Sequence, residues 1–167
     1  MNKAVSLLED LVTVRFDSEE GQVIDLIAPS SSSLNDTIKT LIAYFSFPDS
    51  YVNTQEGKLF YSFQLSDGKP LFCYVLFSQK KDKMAIRGFQ QSSLVLVSRW
   101  RLIELFKKLI WKVDELCQNQ DQELMPLFND LLDSTSLEQG NDAKTLIVKI
   151  KETTINVFLN RATLLLL

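Results

Sequence analysis

The chain has 167 residues, 46% of them hydrophobic and 23% charged, with a formal net charge of −3 and no histidine. Such a length suits one domain that buries a sizeable core, and the composition has neither the signature of disorder nor that of a membrane span. The negative balance excludes broad adhesion to nucleic acid, which needs a cationic surface, and the missing imidazole removes the commonest general base and metal ligand.

The first ten residues hold only short apolar patches in acidic company, so no secretory signal is expected. Leu11 to Phe16 alternates, with Val12, Val14 and Phe16 on one face, and a second β-rich run covers Gln22 to Ala28. With Asp17-Ser18-Glu19-Glu20-Gly21 between them, these predict a hairpin. Pro29 and the serines at 30 to 33 break the pattern, and Ser33 followed by Asp36 predicts a capping-box start to a helix. Leu34, Ile38, Leu41, Ile42 and Phe45 share one face of that helix, which ends at Phe47-Pro48-Asp49-Ser50.

Leu59, Tyr61, Phe63 and Leu65 alternate as a strand, and Ser66-Asp67-Gly68-Lys69 turns it. Leu71 to Phe77 and Leu94 to Val97 are apolar at nearly every position, as expected for strands covered on both faces. Arg101 to Cys117 carries a long stripe through Leu102, Leu105, Phe106, Leu109, Ile110, Val113 and Leu116 and predicts a surface helix. A shorter helix is expected from Asp121 to Leu132, with Pro126 inside its first turns. Ser134 to Lys144 reads as a polar loop, and Leu146 to Ile150 and Ile155 to Leu159 as strands. The first eight elements run strand, strand, helix, three strands, helix, helix; the simplest packing is a three-layer α/β sandwich, one helix on one face of the sheet and two on the other.

Little in the chain points to covalent chemistry. Cys73 and Cys117 match no zinc spacing and form no disulfide framework, which fits a reducing, cytoplasmic setting. None of the five glycines falls in a phosphate-cradling motif. Asp17, Glu19 and Glu20 read as a solvated hairpin tip rather than a cation site. No metal and no cofactor is expected. Phe60, Phe72, Tyr74, Phe77 and Phe89 are expected in the core, as is Cys73. Trp100 and Trp111 flank the long helix, and burial of neither is decided by the sequence.

Lys80, Lys81 and Lys83, continuing to Arg87, form the densest positive patch, in the loop between the two most apolar strands. Two readings stand side by side: a contact for an acidic partner, or a solvated loop whose charges discourage edge pairing.

Three stretches resemble a known family. Phe16-Asp17-Ser18-Glu19-Glu20-Gly21-Gln22 is similar to the opening hairpin of the upstream DENN region. Phe45-Ser46-Phe47-Pro48-Asp49-Ser50 looks like the signature after its first helix. Arg87-Gly88-Phe89-Gln90-Gln91-Ser92-Ser93-Leu94-Val95-Leu96-Val97-Ser98 is similar to its Arg-Gly-Tyr-Phe-Gln-Lys-Ser-Leu-Val-Leu-Leu-Ser run, in particular in the branch of DENN-domain-containing protein six. The resemblance runs from Leu11 to Phe106, and Arg99-Trp100 replaces the Leu-Pro that leads into the family's next helix.

The resemblance implies a longin-like three-layer sandwich around a central, mostly antiparallel five-stranded sheet. Residues 1–134 would form this longin or upstream DENN module, and residues 135–167 a polar loop and strand-like extension towards a DENN module. The implied function is that of the N-terminal lobe of a guanine nucleotide exchange factor for a Rab GTPase in membrane trafficking, acting only with the DENN module and without catalytic chemistry of its own. The alternative is a stand-alone longin adaptor that pairs with another longin or roadblock-like subunit. Expected partner-binding residues are Phe47, Pro48, Asp49, Lys80, Lys81, Lys83 and Arg87. Neither nucleic acid nor direct membrane insertion is expected; the setting implied is cytoplasmic, with recruitment to endosomal or other trafficking membranes.

Overall fold

A computed structural model describes residues 6–48, 56–64, 68–118, 123–139, 145–150 and 153–158. Strands β1 (Asp10–Asp17) and β2 (Gly21–Ala28) form the expected hairpin. Its tip is a short loop in which the Asp17 carboxylate accepts the backbone N–H groups of Glu19 and Glu20 at 2.9 and 3.1 Å. Gly21 closes it at φ 83°, where a side chain would be strained. Asp25 is skipped in the pairing register, a bulge in β2.

Helix α1 (Asp36–Phe45) starts two residues later than a Ser33 cap would put it. Asn35 is the cap, its side-chain oxygen accepting the Ile38 N–H at 2.9 Å. Ile38, Ile42 and Ala43 are buried, and Leu34 is buried just ahead of the helix. Phe45 departs from the expected stripe: it is 44% exposed and leans on Tyr61 with ring centroids 5.7 Å apart.

Strands β3 (Glu56–Gln64), β4 (Pro70–Lys81) and β5 (Phe89–Ser98) follow, and the sheet runs β2-β1-β5-β4-β3, antiparallel throughout. Both β4 and β5 outrun their apolar stretches. The extra length is held by polar pairs across the ladder, Ser78 with Ser92 (3.1 Å) and Gln91 with Gln79 (2.6 Å), which periodicity of apolar residues does not detect. Leu65 to Asp67, part of the expected strand end and turn, lie outside the described residues, while Gly68 adopts φ 76°.

The two faces of the sheet are covered separately. On one, Val12, Val14, Cys73, Val75, Val95 and Val97 meet α1. On the other, Leu11, Tyr74, Leu76, Leu94 and Leu96 meet α2 (Ile103–Gln118) and α3 (Leu124–Ser134) through Phe106, Leu109, Ile110, Phe128 and Leu131. Phe77 and Cys73 are buried as expected, and Tyr74 stacks on Phe106 at 3.9 Å with planes 5° apart. Phe72 is only half-buried, and Phe89 is 41% exposed because it opens β5 opposite Lys81, outside the covered part of the sheet.

The turn into α2 depends on two hydroxyls. Tyr74 donates to the Trp100 carbonyl at 2.7 Å and accepts from the Leu102 N–H at 3.0 Å. Ser98 donates to the Leu7 carbonyl and accepts from the Trp100 N–H. Arg99-Trp100 thus opens the helix by hydrogen bonds where the resembled family has a proline. Helix α3 begins at Leu124, and residues 119–122 lie outside the described residues. Pro126 therefore sits in the first turn, where its missing N–H has no helical partner to lose.

The segment expected as a polar loop after Ser134 contains a strand. β6 (Ser136–Gln139), β7 (Thr145–Ile150) and β8 (Thr153–Phe158) make a second antiparallel sheet, β6-β7-β8. Val148 and Ile150 join the core beneath α2 and α3. Three polar or charged residues and a single leucine in Ser136–Gln139 hid a short edge strand whose partner supplies most of the apolar sequence.

These contacts set an order of stabilities. Phe106→Ala empties a fully buried site and lowers stability by about 3–5 kcal/mol, whereas Tyr74→Phe leaves a carbonyl and an N–H unpaired and lowers it by about 1–3 kcal/mol. Chemical denaturation monitored by circular dichroism measures both; the reverse order contradicts this account of the core.

Candidate functional site

The ends of β1, β4 and α1 and the starts of β2 and β5 meet at one end of the sheet. The chain reaches this end at Ser46, the C-cap of α1, whose carbonyl accepts the buried Ser93 hydroxyl at 2.6 Å. Phe47 follows and is packed between Phe16 and Phe77, edge-on to both, with centroids 6.3 and 5.7 Å apart. The Arg87 guanidinium lies 4.3 Å from the Phe16 ring centroid, a cation–π contact at the open side of the cluster.

Two segments that the sequence marks separately are thereby joined. Phe47 and Arg87 never touch in sequence, and Phe16 is the residue between them in space. Pro48 is half-buried beside Phe47, and Asp49 lies outside the described residues. Lys80 and Lys81 are exposed on β4, opposite Gln90 and Phe89, not in a loop; Lys83 and Arg87 are in the turn that follows. This turn is ordered by Asp82. Its N–H reaches the Gly88 carbonyl at 3.0 Å, its own carbonyl accepts from Ala85 and its carboxylate from the Met84 N–H at 2.8 Å. Gly88, at φ 72°, returns the chain to β5.

The hairpin beside it is charged differently. Arg15 pairs with Asp17 at 2.9 Å and with Asp25 at 3.4 Å, all three on the water side. The Asp17 carboxyl is held down at about 2 by the Glu19 N–H, then Arg15, then the Glu20 N–H. Along the flank, β2 and α1 enclose a shallow groove of about 500 Å³ lined by Val23, Ile24, Ile27, Lys39 and Tyr44 among others.

The site is a surface of rings, cations and hairpin tips. Burial pushes both thiols up to about 12, Cys73 within the α1 layer and Cys117 on α2, so neither is a nucleophile near neutral pH. Among the described residues no cluster of histidine, cysteine and carboxylate side chains is arranged for a metal. No described helix is long and apolar enough to cross a membrane. Sequence reasoning missed Phe16 as the bridging ring, and Met84 and Ile86, which stand 92% and 87% exposed in the basic turn. Two large apolar side chains inside a run of lysines were the signal available for the latter.

A protein described as a DENND6 homolog from Dictyostelium discoideum is 32% identical over 136 residues, 76% of this chain and 19% of that protein. Human DENND6B is 34% identical over 129 residues, 62% of this chain and 22% of that protein. Mouse DENND6A is 31% identical over 150 residues, 74% of this chain and 25% of that protein. The chain is homologous to the DENND6 proteins. It spans about a fifth to a quarter of the length of these relatives. No family model matches it. The DENND6 homology bears out the resemblance drawn from the sequence motifs.

The Asp17 turn has a defined pH signature. With its carboxyl lowered to about 2 from an ordinary value of about 3.9 in the unfolded chain, it stabilises the fold above pH about 4, and this contribution fades as pH falls towards 2. Asp17→Ala should therefore lie below the wild type by a constant amount from pH about 5 to 7, with the gap closing in acid. A gap that persists undiminished near pH 2 rules out the carboxylate as the turn's organiser.

Proposed function

We propose that the chain is the longin-type N-terminal lobe of a DENN-type exchange factor and that it works by gripping a Rab GTPase together with a DENN module. The observation that carries this reading is the homology to DENND6 proteins over about three quarters of the chain. An α/β/α arrangement with rings and cations gathered at one sheet end is compatible with it.

Exchange of this kind requires no covalent step. A partner that prefers the nucleotide-free GTPase to the loaded one weakens nucleotide affinity by the same coupling free energy, so binding alone releases the nucleotide. In this reading Phe47, Pro48, Asp49 and Arg87 belong to the contact: Phe47 fixes Phe16, and Phe16 fixes the guanidinium that an acidic partner meets. Lys80, Lys81 and Lys83 add to the positive field of that end. Residues 1–134 are assigned to the lobe and 135–167 to the extension towards the DENN module. The protein would act in the cytoplasm, recruited to endosomal or other trafficking membranes.

The scaffold reading keeps one specific support. Within the described residues β2 and β3 each pair on one side only, and an open sheet edge accepts a strand from another longin or roadblock-like subunit.

A pull-down of the chain against a panel of Rab GTPases, each nucleotide-free, loaded with GDP or loaded with a GTP analogue, separates the two. The exchange reading expects one Rab held best in its nucleotide-free or GDP form, and Arg87→Glu should weaken that binding by about tenfold or more, the loss of a close charge contact. Failure of every Rab in every state, with a longin-type subunit recovered instead, leaves the scaffold.

A further inference from the structure

The β4–β5 ribbon projects beyond its neighbours. Among the described residues β1 pairs with β5 only as far as Arg15–Ser92, and β3 with β4 only as far as Glu56–Ser78. Among the described residues Gln79, Lys80 and Lys81 pair only with Gln91, Gln90 and Phe89, so the ribbon runs three residues past the last rungs that tie it to β1 and β3. At its apex Met84 is 92% and Ile86 87% exposed. Single exposed apolar residues are ordinary, but these two share one seven-residue turn, Asp82 to Gly88, held by three backbone hydrogen bonds and the Asp82 carboxylate.

Charge is concentrated in the same place. Lys80, Lys81, Lys83 and Arg87 are all exposed, and Asp82 is the lone acid among them. Four cations less one carboxylate give +3 on a chain whose net charge is −3. The Asp82 carboxylate is engaged by the Met84 N–H and the Arg87 guanidinium rests on Phe16, while the three lysines are exposed.

We infer that this turn docks on an anionic phospholipid surface, with Met84 and Ile86 seated at the boundary of the acyl chains and the lysines among the headgroups. An acidic peptide would satisfy the cations and leave Met84 and Ile86 in water; an apolar protein groove would do the opposite. A bilayer surface offers both, in the order in which the ribbon presents them, apolar at the apex and basic behind it. Lysine stems lie along apolar surface while their ammonium groups stay in the headgroup layer. The expectation of no membrane insertion rested on the absence of a long apolar stretch, a criterion that detects spans and is blind to two side chains on a turn.

The inference stands apart from the exchange reading, and its test contains no GTPase. The 167-residue chain is sedimented with phosphatidylcholine vesicles, alone or with about 30% phosphatidylserine, at low and high salt. Each net basic charge near an anionic surface strengthens binding about fivefold, so a preference on the order of a hundredfold for the anionic vesicles is expected, falling steeply with salt. Met84→Ser combined with Ile86→Ser leaves every charge in place and should lower partitioning at least about tenfold, the loss of two buried apolar side chains. Its thermal unfolding should match the wild type, since both side chains already face water. No preference for phosphatidylserine overturns the inference; so does a serine variant that binds anionic vesicles as tightly as the wild type.

Discussion

Two neighbouring strands, β4 and β5, are apolar on both faces through Leu71 to Phe77 and Leu94 to Val97, and water must be kept from both sides at once. A single helix layer cannot do that. α1 therefore closes over Cys73, Val75, Val95 and Val97, while α2 and α3 close over Tyr74, Leu76, Leu94 and Leu96. β1 shares the double burial through Leu11, Val12 and Val14. The less deeply buried β2 and the strand β3 take the edges. The hydroxyls of Tyr74 and Ser98 then decide where α2 can begin, by donating to the Trp100 and Leu7 carbonyls and accepting from the Leu102 and Trp100 N–H groups.

The layers hold the hairpin ends in place, so the loops at this end of the sheet are presented on a fixed frame. Phe16, Phe47 and Phe77 come from a strand end, a helix exit and a buried strand, and each is fixed by backbone that the core has already ordered. Arg87 needs only to fall on the outermost ring. Its position is thus inherited through Phe16 and Phe47 from the buried Phe77, and the geometry of this end is coupled to the integrity of the core.

What was legible in the sequence follows the strength of the apolar pattern. The hairpin at Asp17–Gly21, the α1 face at Ile38 and Ile42, and the long stripe of α2 were readable because burial recurs at fixed spacing. Elements held by polar pairing were not. The Gln79–Gln91 and Ser78–Ser92 rungs of the ribbon and the Asn35 cap carry no apolar signal of their own, and strand β6 has only Leu137. Phe45 and Phe89 misled for the converse reason, since an aromatic side chain at a core-like spacing is exposed where the covering layer stops. The candidate site was half readable: its segments were marked by Phe47 and by the lysines, but their meeting through Phe16 is a fact of tertiary packing.

The two thiols carry a practical consequence. With Cys73 enclosed beneath α1 and Cys117 set against the α2–α3 layer, burial raises both thiols well above their ordinary range and disfavours the thiolate at neutral pH. Maleimides and other thiolate-seeking reagents should pass over the folded chain. A cysteine placed on an exposed turn would then be the one fast-reacting position, and a spin label or fluorophore could be installed there without first removing the native pair.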